Sequence, residues 1–454
     1  MKTKPRLAVL LPLILLLFAT LFQSQSSIQE QTGQYQAAYR WLPWRHDLLE
    51  KAGISAADNG DFAGAIFLLK QAHLKNSLTV QGQNTLANAY WLTDQPDLAL
   101  AEWESLYIGE NYNTEQLLQM IHLYHQRGDF LSEADVAQTG LRFAPDVAEF
   151  YWRLGLLKMA ESPLEAIPLF EQMRALNPPP GYRLDELLLT LDRALLADSA
   201  AYRLAISAQA LASLGEWTLA QAALERAIEI DATYAPAWAL LGETRQQTGS
   251  GDALAALEHA GLLDPLSATT QAHLGLYWQR QNDFEKASQY FLQAARLDQN
   301  NPIWLMNLGA LAFQKGDVPL SYAYYQGAVE IAPKEASVWR ALALFCLKTE
   351  GCLEEDGYPA ALKARMLDLQ DWRNADILGQ VLMALGQDES ARVIYARAIS
   401  LAPQEPAPRF HLGLLYLRYG NAKFARLYLQ EALDLDPQGV LAENIRHVIE
   451  RYLP

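Results

Sequence analysis

What this chain lacks narrows its function first. No nucleophile elbow, phosphate-cradling glycine loop, dinucleotide fingerprint or paired metal-ligand motif occurs in its 454 residues, and each of those patterns is the local geometry its chemistry requires. Isolated Asp and Glu residues read as solvated helix faces and caps. The expectation is a non-enzymatic protein with no cofactor and no catalytic or metal-ligating set. Basic residues are scarce: 36 Lys and Arg stand against 52 Asp and Glu, a net charge of -16, and Lys2, Lys4 and Arg6 take three of the 36. The remainder carries 33 basic against 52 acidic residues with no basic stripe, which excludes a ligand whose phosphates need neutralising, and so nucleic acid. Cysteine is rarer still, only Cys346 and Cys352. Because no Cys follows the apolar N-terminal run, a lipid-anchored lipoprotein is disfavoured.

What is present begins with that run. After Lys2, Lys4 and Arg6 come sixteen residues, Leu7 to Phe22, interrupted only by Pro12 and Thr20 and followed by the polar Gln23-Ser24-Gln25-Ser26-Ser27. The pattern reads as a secretory signal with a processing site after Ser26, or as an uncleaved signal anchor spanning the membrane through residues 7–22. As a helix the run reaches about 24 Å, short of a hydrocarbon core of about 30 Å. The basic residues before it, with none afterwards until Arg40, place the body outside the cytoplasm, as a single-pass membrane protein or a secreted one. Residues 23 to 36 are rich in Gln and Ser and read as a tether. Tyr35, Tyr39, Trp41 and Trp44 then crowd the approach to the first helix, either as a hydrophobic cap on the first repeat or as a belt at a membrane interface.

The body is ruled by one period. Gly275 recurs as Gly309, Asp283 as Asp317, Phe291 as Tyr325, Ala294 as Ala328 and Leu274 as Leu308, each 34 residues on. A fixed interval of this length marks a helical hairpin whose apolar face is buried only against its neighbours. Small residues let the paired helices approach, and an aromatic or Leu on the second helix fills the groove. Gly-Asp pairs such as Gly60-Asp61 and Gly128-Asp129 supply the turn, and Pro145, Pro178, Pro265, Pro333, Pro403 and Pro437 end second helices. The rhythm fails at Pro178-Pro179-Pro180-Gly181, where Leu184 to Ala197 makes an amphipathic helix without a hairpin mate. It stretches again at Thr349 to Tyr358, a lengthened turn.

This pattern resembles the tetratricopeptide repeat family over about eleven units from His46 to Pro437. The resemblance implies an all-α, right-handed superhelical solenoid whose concave surface is lined by first helices and binds peptides or extended segments of other proteins. The boundaries expected are a signal or anchor at 1–27, a linker at 28–44, an N-terminal array at 45–178, a joint with the extra helix at 179–200, a C-terminal array at 201–437 and a capping helix at 438–454. Some relatives grip a C-terminal carboxylate with Lys, Arg and Asn on successive first helices. The matching positions here are Ala272, Leu276, Asn307, Ser337 and Ala341, so that mode is disfavoured.

Projected onto first helices, the partner-binding candidates are Arg280, Met306, Phe313, Arg340, Lys348, Asp376, Met383, Phe410 and Arg418, with Gln279, Leu344, Gln380 and Leu414 beside them. Aromatics, Met and Arg are the residues binding surfaces favour. Phe313, Met383 and Leu414 are equally read as packing between units. An alternative function is polysaccharide binding at the cell envelope, with Phe313 and Phe410 stacking on sugars. His122 and His125, three apart on one helix, suit a shared metal only with further ligands, which the sequence does not supply nearby. Cys346 and Cys352 are a candidate disulfide clipping the long turn to its preceding helix, or a buried small residue and an unrelated loop cysteine. The oligomeric state is open.

Overall fold

The computed structural model describes residues 5–179, 181–349 and 351–453, the side chains of 5–17 excepted. Lys2 and Lys4 lie outside these residues, as does the structure of residues 1–4 of the 1–27 segment. Among the described residues the chain is helical, with 26 α-helices and no strand. It divides into two compact units, one ending at Ala223 and the other beginning at Leu224.

The first unit opens with α1 (Pro5–Gln31) and α2 (Tyr35–Trp41). Four hairpins follow: α3 (Asp47–Asp58) with α4 (Phe62–Leu74), α5 (Val80–Leu92) with α6 (Pro96–Ile108), α7 (Thr114–Arg127) with α8 (Phe130–Phe143), and α9 (Ala148–Glu161) with α10 (Pro163–Ala175). Next come α11 (Leu184–Leu195), α12 (Ala200–Ser213) and α13 (Trp217–Ile230), which carries the division. The unpaired α11, expected to mark a joint at 179–200, lies inside the first unit. It packs on both α10 and α12 while α12 also reaches α9, because its apolar stripe of Leu184, Leu187, Leu188 and Leu191 is buried there.

Two local devices recur among the hairpins. At the turns, Gly60, Gly128 and Gly316 take positive φ of 79°, 69° and 81°, and the Asp after each caps the second helix: Asp61, Asp129 and Asp317 accept from the backbone N–H of Gly64, Ser132 and Leu320 at 2.9, 3.2 and 3.1 Å. The sequence reading assigned Asp only to the turn; its carboxylate also satisfies an otherwise orphaned donor of the helix. Inside several hairpins, a repeating glycine leaves room for one large side chain. A Cβ at Gly275 would stand 2.8 Å from the Phe291 ring, and one at Gly379 2.6 Å from the Tyr395 ring.

Residues 23–36 are not an extended tether: α1 runs to Gln31, and Gly33 (φ +75°) turns the chain into α2. Tyr35 and Tyr39 pack on Leu49, Ala52, Leu68 and Ala72 of the first hairpin, whereas Trp41 and Trp44 are exposed. Among the described residues no helix is long and apolar enough to cross a membrane. Most of the Leu7–Phe22 run lies outside the residues whose side chains are described.

The second unit continues with α14 (Ala235–Thr248) and α15 (Ala253–Leu263), α16 (Ala268–Arg280) and α17 (Phe284–Leu297), α18 (Pro302–Gln314) and α19 (Val318–Ile331). After α20 (Ala336–Thr349) the long turn contains a π-helical stretch, Leu353–Gly357, before α21 (Tyr358–Leu367). Cys346 and Cys352 are joined across this turn, Sγ to Sγ 2.08 Å, and Tyr322 of α19 donates to Asp356 at 2.6 Å. The unit ends with α22 (Trp372–Ala384) and α23 (Asp388–Leu401), α24 (Pro406–Arg418) and α25 (Ala422–Leu435), then α26 (Ala442–Tyr452). Ile445 of α26 and Leu453 are buried with Ala425, Leu429 and Ala432 of α25, covering the exposed end that a stack of repeats otherwise presents.

Candidate functional site

In the second unit the candidate residues fall on first helices, and the structure sorts them by what their side chains touch. The charged ones mostly join one first helix to the next. Arg280 of α16 pairs with Glu243 of α14 at 2.7 Å and also donates to Gln246. Arg340 of α20 pairs with Asp371, at the start of α22, at 2.8 Å and donates to Asn374 at 2.7 Å. Asp376 of α22 is only 6% exposed; it accepts from Gln380 at 2.9 Å and lies 2.9 Å from Nδ1 of His411 on α24. Arg418 of α24 donates to the Met383 carbonyl and stands 3.5 Å from Asp388. A buried carboxylate is tolerated only when its oxygens are bonded, so Asp376 is an internal strut and not a free groove acid.

Glu243 illustrates the electrostatics. Burial alone would raise its pKa, but the His273 ring 3.8 Å away and hydrogen bonds from Arg280 and Gln247 outweigh that cost and hold the carboxyl far below its usual range. Gln279 and Gln314 extend the same logic between α16 and α18 with a 2.7 Å bond. These polar pairs zip neighbouring first helices together.

The apolar candidates divide differently. Phe313 of α18 is half-buried and meets Phe345 of α20 edge-on with ring centroids 6.1 Å apart. Phe410 is half-buried, its ring 5.4 Å from that of His411. Met383 lies under the Tyr395 hydroxyl, oxygen to Sδ 4.0 Å. The two rings proposed to stack on sugar are thus each engaged by a neighbouring ring. Met306 and Leu414 are half-buried. Open on α20 are Leu344, 38% exposed, and Lys348 one turn on, in line with Arg340, on the helix whose Phe345 meets Phe313 of α18.

The first unit holds a cluster that the sequence reading missed. His125 of α7 does not join His122: His122 is exposed and bonds Gln126 at 2.8 Å, while His125 reaches Glu133 of α8 at 3.1 Å and Glu216, in the turn before α13, at 3.1 Å. Arg153 of α9 pairs with the same two carboxylates at 2.7 and 3.0 Å and also touches the His125 ring. The hydrogen bond with Glu133 and then that with Glu216 push the His125 pKa up to about 9, against burial and the Arg153 charge. Three helices and the turn before α13 are locked here by two cations and two anions. Among the described residues no group of three or more His, Cys, Asp or Glu is placed to hold a metal.

Comparison with known proteins places these features. Residues 274–336 and 378–440 match the family model described as tetratricopeptide repeat. Over 233 residues the chain is 24% identical to the cell division cycle protein 16 homolog of Homo sapiens, a match covering 51% of this chain and 33% of that protein; the Mus musculus protein matches to the same degree. The chain thus spans about a third of the length of the curated relatives it matches. Among solved structures, yeast Tom70 is similar with a TM-score of 0.44 at 12% identity, covering 82% of this chain and 95% of that one. The Cut9 assembly with Hcn1 from the APC/C gives 0.41 at 15% identity, covering 96% of each.

Proposed function

We propose that this protein is a non-enzymatic scaffold that holds an extended segment of another protein against its first helices, with the repeats outside the cytoplasm. The observation that carries the reading is the face of α18 and α20 in the second unit. There Leu344 and Lys348 are open on α20, and the neighbouring α18 carries half-buried Met306 and Phe313, while charged residues of adjacent first helices are bonded to one another. A surface with its own polar groups satisfied and a few apolar and cationic side chains left free suits a partner that brings backbone and apolar anchors. The match of residues 274–336 and 378–440 to the tetratricopeptide repeat model supports the scaffold class. Placement outside the cytoplasm is supported by Lys2, Lys4 and Arg6 before the apolar run and by the Cys346–Cys352 bond, since disulfides persist in oxidising compartments.

The test is affinity capture of the full-length chain from native membranes. A stoichiometric protein partner is expected, and its recovery is expected to fall when Leu344 is changed to Asp. Repeated capture that returns the chain alone overturns the scaffold reading.

A further inference from the structure

In the first unit the ends of two second helices frame an open cleft of about 580 Å³ that the scaffold reading does not use. That size suits a small ligand. Its walls come from the end of α6 (Tyr107, Ile108), from the loop that follows (Glu110, Tyr112) and from the end of α8 (Arg142, Phe143). Three rings make one side: the centroid of Tyr112 lies 5.5 Å from that of Tyr107 and 5.4 Å, edge-on, from that of Phe143. Tyr107 and Tyr112 pack on the buried cluster around Trp103, whereas Phe143 stays 52% exposed and Ile108 82% exposed. A chain of hydrogen bonds fixes the polar side. Arg142, which can only donate, reaches Thr139 Oγ1 at 3.0 Å, and the Asp135 carboxylate accepts from the Tyr107 hydroxyl at 2.6 Å. The 2.8 Å contact between them therefore runs from the Thr139 hydroxyl to the Tyr107 oxygen. The guanidinium is thus held at the cleft, and among the described residues neither it nor Glu110 makes an ion pair.

The backbone supplies a second, independent observation. Glu110 holds a φ of 55°, and the other non-glycine residues with positive φ among the described ones are Asn76, Asp94, Asn177 and Asn282. Short Asn and Asp side chains ease that conformation by bonding locally, which the longer glutamate does not. Backbone kept in such a conformation collects at ligand sites, and here it brings a carboxylate to the cleft. We infer that this cleft binds a neutral saccharide, with a pyranose ring stacked on Phe143 and Tyr112 and its hydroxyls bonded to Glu110 and Arg142. The chemistry of the walls selects that class. A purely apolar ligand would strip water from Glu110 and Arg142 and leave both unpaired. A cation meets Arg142 and an anion meets Glu110. A neutral pyranose carries both surfaces the cleft offers: C–H bonds on its flat side for the electron-rich faces of the rings, and hydroxyls at its edge that donate to a carboxylate and accept from a guanidinium. Phe313 and Phe410 are half-buried rings without this pairing of a free acid and a free base beside an exposed ring. The inference does not rest on the face of α18 and α20.

Saturation-transfer NMR on the full-length chain gives the test, with maltotriose, cellotriose, triacetylchitotriose and mannotriose offered in turn at millimolar concentration and free phenylalanine as a zwitterionic control. Transfer to the ring C–H protons of at least one sugar is expected. Affinity for that sugar is expected to fall at least about tenfold in Phe143→Ala, the loss of a central anchor, and likewise in Glu110→Asn. Asparagine suits a positive φ better than glutamate, so Glu110→Asn is expected to melt at or above the wild-type temperature while losing the sugar. That pair of readouts separates a carboxylate held for a ligand from one that supports the fold. Absence of transfer to all four sugars overturns the inference, as does binding that survives either substitution. Binding of phenylalanine with no sugar bound replaces the ligand class by a zwitterion matching Glu110 and Arg142, and overturns it equally. A failed search for a protein partner leaves these readouts unchanged, so the two readings fail separately.

Discussion

Single residues decide how closely the hairpins nest, and the magnitudes discriminate between glycines that look equivalent in sequence. At Gly379 an added methyl would stand 2.6 Å from the ring of Tyr395, which is fully buried, so the helices must part. Gly379→Ala is expected to cost about 1 to 3 kcal/mol by overpacking, read as a lowered urea midpoint. At Gly309 the nearest atom is 3.0 Å away, and the roughly 1 kcal/mol gained by Ala over Gly inside a helix offsets the squeeze; Gly309→Ala is expected to be near neutral. Equal losses at both sites would mean that the ring contact does not set the spacing. His125 supplies a second residue-scale outcome. Its folded pKa of about 9 lies above the ordinary 6.5, so the folded state binds the proton more tightly than the unfolded one. That stabilisation is fully present below about pH 6.5 and is lost as pH rises through about 9, at most about 3 kcal/mol. Urea midpoints across pH 6 to 10 are expected to fall for the wild type and to be flatter for His125→Gln.

At the scale of elements, the hairpins were legible because their determinants repeat locally: a small residue, a Gly-Asp turn, a groove-filling ring and a terminating proline. The clamps between first helices were not read, although their signal lay in the same period. Gln279 and Gln314 are 35 apart, Arg340 and Asn374 34, Asp376 and His411 35, so complementary polar residues one repeat apart mark neighbours along the stack. Reading each first helix by itself placed Arg280, Arg340, Asp376 and Arg418 in a free groove, where the structure has them bonded. The His125 cluster had no such signal, since Glu216 meets Arg153 across 63 residues only because the unpaired α11 is accommodated between α10 and α12. A double-mutant cycle on Asp376→Ala and His411→Ala is expected to give a coupling of about 1 to 2 kcal/mol; additive losses would deny the strut. The disulfide acts on one element as well. Its residues are six apart, and closing so short a loop stabilises by about 2 kcal/mol in the chain-entropy account. Cys346→Ala/Cys352→Ala is expected to show that loss together with faster amide exchange over residues 351–358.

For the molecule as a whole, the chain divides into two units at Ala223 and Leu224. Each unit has buried clusters of its own, around Trp103, Met120 and Phe150 in the first and, in the second, around Phe291 and Trp304 and around Phe345 and Tyr395. In stacked repeats stability is summed over neighbouring contacts, so bonds between first helices and free groups on the same face contribute to different observables. Arg280→Ala removes a clamp and leaves Glu243 buried with fewer partners; it is expected to lower thermal stability of the second unit while partner capture persists. Leu344→Asp with Lys348→Glu removes only open side chains on α20. Its helical content and melting temperature are expected to match the wild type, whereas affinity for the captured protein is expected to fall at least about tenfold, the loss of one central anchor. Binding assays and melting curves on the two variants in parallel decide the matter: if the double variant binds normally and Arg280→Ala does not, the partner site lies on α14 and α16 and the face of α18 and α20 is only a surface.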